Sequence, residues 1–141
     1  MIFTDRGDFL NVCSGRLLGI DMGVNNIGIA ITDETKTICT PSETIKNDNF
    51  FLSLSNIVKS KKITGIVVGI PLNFQDEDTK FSKKIRKTFQ NFSKQNDIPI
   101  IFQDERLTSF EAENLIGNYK NKKKVLDKIA ASYILESFLD L

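Results

Sequence analysis

The chain has 141 residues, which predicts a single domain, and its 19 Lys or Arg against 18 Asp or Glu give a net charge of +1. Because the charges balance, the overall charge gives no sign of a nucleic-acid partner. The chain contains no histidine, which excludes histidine-based catalytic triads, imidazole bases and histidine zinc sites. Any catalysis must therefore use carboxylates, hydroxyls, amines or a bound metal ion.

Cysteine usage and hydropathy predict the compartment. Two cysteines are too few for a disulfide scaffold, and they form no Cys-x-x-Cys pair for zinc, so a reducing environment is expected. No apolar run approaches the ~20 residues of a membrane span, and the start of the chain lacks the apolar core of a signal peptide. We therefore expect a cytoplasmic protein that does not contact a membrane.

The first part of the chain predicts a hairpin and a third strand. Residues 1–15 show no hydrophobic period and predict a loose N-terminal extension, followed by one domain over residues 16–141. Apolar residues predict strands over 17–21 and 27–32, which a turn of Gly and Asn residues joins into a hairpin. A weaker strand is predicted within residues 36–45.

The second part of the chain alternates helices and strands. Hydrophobic spacing and helix-end signals predict a helix over 50–60, a strand over 63–70, a helix over 79–94, a strand over 98–103, a helix over 108–117 and a last helix over 124–139. This order predicts an α/β fold with a mixed five-stranded sheet and helices on both faces. In such sheets the loops after the parallel strands gather the chemistry.

Asp21 is charged although it ends an apolar strand. It lies between Gly19 and Gly23, whose small size permits another group to approach the strand end closely. Burial of a carboxylate costs free energy unless the carboxylate is paired or binds a cation. Asp21 is therefore either a residue that caps the turn or a metal ligand in a cleft.

Two more carboxylates, Asp104 and Glu105, directly follow the strand over 98–103. Neighbouring residues of a strand point to opposite faces, so only one of the two can share a pocket with Asp21. The sequence does not decide which one, because the register of the strands is unknown. Arg106, the next residue, is suited to neutralise the other carboxylate or to contact a phosphate.

Asp127 lies early in the last helix, on the face that also carries Ala130 and Ala131. Its negative charge either complements the dipole at the start of the helix or contributes to a site between the helix and the sheet. Together with the carboxylates at the strand ends, it predicts a site for one or two hard, oxygen-binding cations, Mg²⁺ or Mn²⁺. Sites of this kind stabilise the charge of phosphoryl displacement.

Two clusters of basic residues accompany these carboxylates. The helix over 79–94 has a basic outer face, which is typical of a solvated surface; its members are Lys80, Lys83, Lys84, Arg86 and Lys87. The second cluster surrounds Asp127 and favours contact with a nucleic-acid backbone. Its members are Lys120, Lys122, Lys123, Lys124 and Lys128.

Four segments of the chain resemble, in the same order, the motifs of the YqgF/RuvX family. The segment LGIDMG with the following GIA resembles the family's first strand pair, and VVGIPLN at 67–73 resembles its VVGLPLN segment. DERLT at 104–108 resembles its motif of the same sequence, and DKIAA at 127–131 resembles the start of its last helix. The chain departs from the family at residues 74–79, FQDEDT, where a loop containing glycine is usual.

The resemblance implies an RNase H-like three-layer fold and a metal-dependent nuclease. Family members are described as nucleases that process the 5′ end of pre-16S rRNA in ribosome biogenesis. The resemblance carries the acidic site onto Asp21, Glu105 or its neighbour Asp104, and Asp127. It also places Asn73 and Arg106 in loops near that site.

Three functions remain open at this stage. The first is an endonuclease acting on an rRNA precursor, alone or on a pre-ribosomal particle. The second is a Holliday junction resolvase acting on four-way DNA, which needs two sites and therefore a homodimer rather than a monomer. The third is a non-catalytic RNA-binding factor of ribosome assembly or transcription, which needs the basic residues but not the carboxylates.

Overall fold

The computed structural model describes residues 1–23, 26–71, 79–104 and 122–141, and in the last range it describes side chains from Lys128 onward. Its elements are β1 (Ile2–Phe3), α1 (Arg6–Val12), β2 (Arg16–Met22), β3 (Asn26–Thr32), β4 (Cys39–Lys46), a 3₁₀ turn (Asn47–Asn49), α2 (Phe50–Ser60), β5 (Ile63–Ile70), α3 (Lys80–Gln95), β6 (Ile100–Asp104) and α4 (Lys122–Leu139). The predicted helix over 108–117 lies outside the described residues.

The strands form one mixed sheet in the order β1-β6-β5-β2-β3-β4. The pairs β1–β6, β6–β5 and β5–β2 are parallel, whereas β2–β3 and β3–β4 are antiparallel. The predicted hairpin is thus confirmed as β2 and β3. Because β2, β5 and β6 are parallel, they end on the same side, which we call the carboxyl end of the sheet; the opposite side is its amino end.

Alternation along β2 assigns its residues to two cores. Leu18 and Ile20 belong to the core beneath α2 and α3, whereas Leu17 belongs to the core beneath α1 and α4. We call these two sides of the sheet the α3 face and the α4 face. Helices therefore cover both faces, which confirms the predicted three-layer arrangement.

α4 packs closely on β2 at Gly19. A Cβ atom added to Gly19 would lie 2.6 Å from Leu135 Cγ and 2.8 Å from the carbonyl oxygen of Ala131. Ala130 and Ala131 are themselves buried. The missing side chain of Gly19 and the small alanines together let the helix backbone approach the strand.

In the described part of the chain the sheet has six strands, so the prediction of five is wrong by one. The additional strand, β1, pairs with the outer strand β6 through Ile2↔Ile100 and Phe3↔Ile101. A strand of two residues has no measurable alternation, and only its pairing with a distant segment reveals it. This is why the sequence pattern missed it.

Residues 1–15 are an ordered part of the fold, not the loose extension that was predicted. Phe9 of α1 is fully buried, and its ring packs edge-on against Phe3 and Phe138, with centroids 5.9 and 5.5 Å away. The Nε atom of Arg6 donates a hydrogen bond of 2.6 Å to the carbonyl oxygen of Phe138. The start of the chain is thereby fastened to the end of α4.

Among the described residues, no helix has the length and apolar character needed to cross a membrane.

Candidate functional site

Asp21 is a buried carboxylate at the carboxyl end of the sheet. It is the second-last residue of β2, pairs with Gly28 of β3, and has only 8 % of its surface exposed. Leu17 packs under α4, and Gly19 touches α4 directly. Since side chains two residues apart share a face, Asp21 lies on the α4 face.

The register of the parallel strands determines which residue of β6 is level with Asp21. Ile20 pairs with Val68 of β5, and Val68 pairs with Phe102 of β6. One residue further along each strand, Gln103 is therefore level with Asp21 and faces the same way. Its Nε2 atom donates a hydrogen bond of 3.3 Å to Ser137 Oγ of α4, which agrees with this assignment.

Asp104 lies on the other side of the sheet. It pairs with Ile70, whose side chain belongs to the core of the α3 face, and it is exposed. The register thus separates Asp104 from Asp21, although both lie at the carboxyl end. This separation follows from the period of two in a strand.

The helix that carries Asp127 packs on the face that carries Asp21. Asp127 lies one helical turn before Ala131, the residue whose carbonyl oxygen approaches Gly19. The two carboxylates thus belong to elements in direct contact, while the Asp127 side chain lies outside the described part.

The remaining predicted site residues are described only in part. Lys122, Lys123 and Lys124 form the first turn of α4, and Lys128 is half-buried one turn further on. The other four, Asn73, Glu105, Arg106 and Lys120, lie outside the described residues. Within the described ranges, no three potential metal ligands come together.

Sequence reasoning did not single out Gln103, the polar residue level with Asp21. The signal was present, because Gln103 is the first polar residue after the apolar run at 98–102, but the carboxylates that follow it are the stronger candidates for metal ligands. Within the described part of β6, the residue that lies on the α4 face level with Asp21 is Gln103 and not Asp104.

The two thiols do not add an ionised ligand or nucleophile at neutral pH. Burial raises the pKa of Cys13 to about 11. Burial, helped by the negative charges of Glu136 and Asp33, raises the pKa of Cys39 to about 12. Because the thiolate is the form that attacks substrates and binds metals, neither cysteine serves as a nucleophile or a metal ligand at neutral pH.

The comparison with protein families decides the affiliation. The model of the RuvX family, described as Holliday junction resolvase, matches residues 15–141. The chain belongs to the RuvX family. RuvX relatives from Roseobacter denitrificans and Sulfurihydrogenibium sp. both carry the name “Putative pre-16S rRNA nuclease”. The first is 35% identical, with 99% of this chain and 93% of the relative aligned; the second is 38% identical, with 89% and 90% aligned.

Solved structures with a similar fold include RuvC of Thermus thermophilus. The RuvC structure in complex with a Holliday junction substrate superposes with a TM-score of 0.58 at 9% identity, covering 89% of this RuvX chain and 94% of RuvC. A second RuvC structure gives a TM-score of 0.55 at 8% identity, covering 89% and 95%. At such low identity the likeness shows a common fold, which is RNase H-like, as the sequence motifs had implied.

Proposed function

We propose that this protein is a metal-dependent endonuclease that processes the 5′ end of pre-16S rRNA. The observation that carries the proposal is the burial of Asp21 on the sheet face against which α4 packs. The names of the RuvX relatives supply the substrate. Both cysteines are free, which fits a reducing cytoplasm, and the substrate is presented there alone or on a pre-ribosomal particle.

The residues of the site fit a hard cation. The chain contains no histidine, and its two thiols remain protonated, so carboxylates are the anionic groups that remain. Oxygen ligands of this kind select Mg²⁺ or Mn²⁺ over softer metals. A bound ion of this type supplies Lewis-acid stabilisation of the phosphate charge and makes water more acidic.

We propose Glu105 rather than Asp104 as the second carboxylate of the site. Asp104 pairs with Ile70 and lies on the α3 face, opposite to Asp21, which leaves Glu105 as the better candidate of the two. Asp21, Glu105 and Asp127 then form the ligand set. Arg106 and Asn73 hold the scissile phosphate, and the basic cluster Lys120, Lys122, Lys123, Lys124 and Lys128 holds the backbone beside it.

The first test is a cleavage assay with Mg²⁺ or Mn²⁺ on a labelled 16S precursor leader RNA. Asp21→Asn keeps the shape of the side chain but removes its charge, so we expect it to lower the cleavage rate by ~10²-fold or more. Glu105→Gln should have a similar effect, whereas Asp104→Asn should retain most of the activity. Asp97→Asn, an exposed change at the amino end of the sheet, is the matched control.

The outcome of this assay separates the functions. Full activity of Asp21→Asn would exclude Asp21 as a ligand, and loss in Asp104→Asn with retention in Glu105→Gln would reverse the assignment on β6. A four-way DNA junction is offered in parallel, because the family description names Holliday junction resolvase. If the protein cuts only the junction, and light scattering shows that it is a dimer, the resolvase is established. If it binds RNA but cuts neither substrate, the non-catalytic RNA-binding factor is favoured.

A further inference from the structure

α3 carries a strongly unbalanced charge. Its sequence, KFSKKIRKTFQNFSKQ, contains six Lys or Arg and no Asp or Glu. Ile85, Phe89 and Phe92 are buried against the sheet. Every exposed position of the helix is polar, and these positions are Lys80, Lys83, Lys84, Lys87, Gln90, Asn91, Lys94 and Gln95.

Three of these residues, Lys83, Lys84 and Lys87, form a compact group that we call the α3 lysine triad. Lys87 lies four residues after Lys83 and three after Lys84, so it is a surface neighbour of both. Like charges at these spacings destabilise a helix. No carboxylate in the described part of the chain forms an ion pair with the triad or offsets this repulsion, so the triad is open to an anion from outside the chain.

Arg86, between the triad residues, has a different role. It is half-buried, and its guanidinium lies 5.1 Å from the centre of the Phe102 ring of β6. Such a contact between a cation and an aromatic face belongs to the packing of α3 on the sheet. Arg86 thus takes part in internal packing, whereas the triad is exposed to solvent.

The path of the chain brings the triad to the same end of the sheet as Asp21. β5 ends at the carboxyl end, and α3 runs back from there to the amino end, where a short connection leads into β6. The amino group of Met1, just before β1, donates to Ser93 Oγ near the end of α3 at 2.7 Å, which agrees with this direction. The first half of α3 therefore flanks the carboxyl end of the sheet, on the face opposite to Asp21.

We propose that the α3 lysine triad binds the phosphate backbone of the RNA flank that leaves the Asp21 site and passes across the carboxyl end of the sheet. This inference rests on the proposed nuclease function and defines its substrate as an RNA that extends well beyond the cut. The outer surface of α3 lies about one helix diameter, ~10 Å, from the sheet, so an oligonucleotide that covers only the cleavage site does not reach it.

The chemistry of the surface favours a nucleic-acid backbone over other partners. Phosphate contacts to lysines gain free energy through counterion release and need no shape complementarity. The exposed positions of α3 include no aromatic ring, so base stacking is not offered there. A second copy of the chain docked through α3 would bring two sets of lysines together, which is repulsive.

The test compares the triple variant Lys83→Gln, Lys84→Gln, Lys87→Gln with a control that loses the same charge. The control is Lys59→Gln, Lys61→Gln, Lys62→Gln, three exposed lysines at the amino end of the sheet. Binding of fluorescent leader RNA is measured by anisotropy over a range of salt concentrations, in EDTA to prevent cleavage. One RNA extends far beyond the cut on both sides, and a short one covers the cut alone. Melting curves of all variants verify folding.

We expect the triad variant to bind the long RNA at least ~10-fold more weakly at low salt, with the slope of log K against log salt reduced by about 2. Affinity for the short RNA should be unchanged, and the control variant should behave as the unmodified protein. Equal losses in the triad and control variants, or equal losses for both RNAs, would overturn the inference.

The outcome is separable from the proposed function. Metal-dependent cleavage that depends on Asp21, with no specific effect of the triad on binding, would refute the inference and leave the nuclease intact. A specific loss of long-RNA binding in a protein that cleaves nothing would retain the triad as an RNA contact while refuting the nuclease. Unchanged RNA binding by the triad variant would also overturn the inference and favour an acidic protein as the partner of the triad.

Discussion

At the scale of single residues, three positions depend on one particular side chain: two carboxylates in special surroundings and one glycine at a helix contact. Asp21 is a carboxylate within a buried strand end, and Gly19 is the point at which α4 approaches that strand. Asp33, in the turn after β3, has its carboxylate enclosed by hydrogen-bond donors. Gly19 and Asp33 offer direct tests of packing and of local electrostatics.

Gly19→Ala should disturb both stability and the site. The added Cβ atom would meet Leu135 Cγ at 2.6 Å and the Ala131 carbonyl oxygen at 2.8 Å, so α4 has to shift. We expect a loss of ~1–3 kcal/mol in the free energy of unfolding, measured by urea denaturation. Because the displaced helix carries Asp127, the cleavage rate should fall even at temperatures where the variant is folded. Gly7→Ala in α1 is the control. If Gly19→Ala left the free energy of unfolding and the cleavage rate unchanged, the contact between α4 and β2 would be looser than these distances indicate.

The pH dependence of stability should report on Asp33. The Thr35 hydroxyl, followed by the backbone N–H groups of Ile38 and Thr37, holds the pKa of Asp33 well below its usual range. A folded-state pKa below the unfolded value means that the carboxylate contributes stability above about pH 3.9, which is lost as the pH falls towards the folded pKa. Asp33→Asn should therefore be less stable at pH 7, and the difference should shrink in acid. A difference that stays constant from pH 7 to pH 3 in urea unfolding would contradict this.

At the scale of elements, hydrophobic pattern alone predicted five of the six strands that the described residues form. The predicted strand over 63–70 coincides with β5, and the other boundaries lie within a few residues of β2, β3, β4 and β6. Pattern failed where an element is too short to show a period, as in β1. It also left open the choice between Asp104 and Glu105, because register depends on pairs such as Ile70↔Asp104 that only the folded sheet contains. Burial of Asp21, in contrast, was foreseeable from its apolar neighbours.

Phe9→Ala tests whether α1 is an integral element. Phe9 is fully buried between Phe3 and Phe138, so the substitution should reduce the free energy of unfolding by ~3–5 kcal/mol. Val12→Ala, in the same helix but about half exposed, should change it little. A near-neutral Phe9→Ala in urea denaturation would restore the picture of a loose extension.

At the scale of the whole molecule, a net charge near zero conceals an uneven distribution of charge over the helices of the two faces. α3 carries six basic residues and no acid, whereas α4, on the opposite face, combines four lysines with Asp127 and Glu136 and packs on the face of the buried Asp21. Charge therefore has to be read by face, because the sum over the chain cancels. An RNA that contacts both Asp21 and the α3 lysine triad has to cross the carboxyl end of the sheet, because both lie at that end on opposite faces.

The N-terminal segment also has a consequence for how the chain is made. Ile2 pairs with Ile100, and Arg6 bonds to Phe138, so this segment is synthesised well before the partners against which it packs. At synthesis rates of about 5–20 residues per second, Phe9 waits on the order of ten seconds before Phe138 emerges. During that interval the apolar side chains of this segment lack the residues that bury them in the folded protein, and they are buried only when β1 and α1 contact β6 and α4.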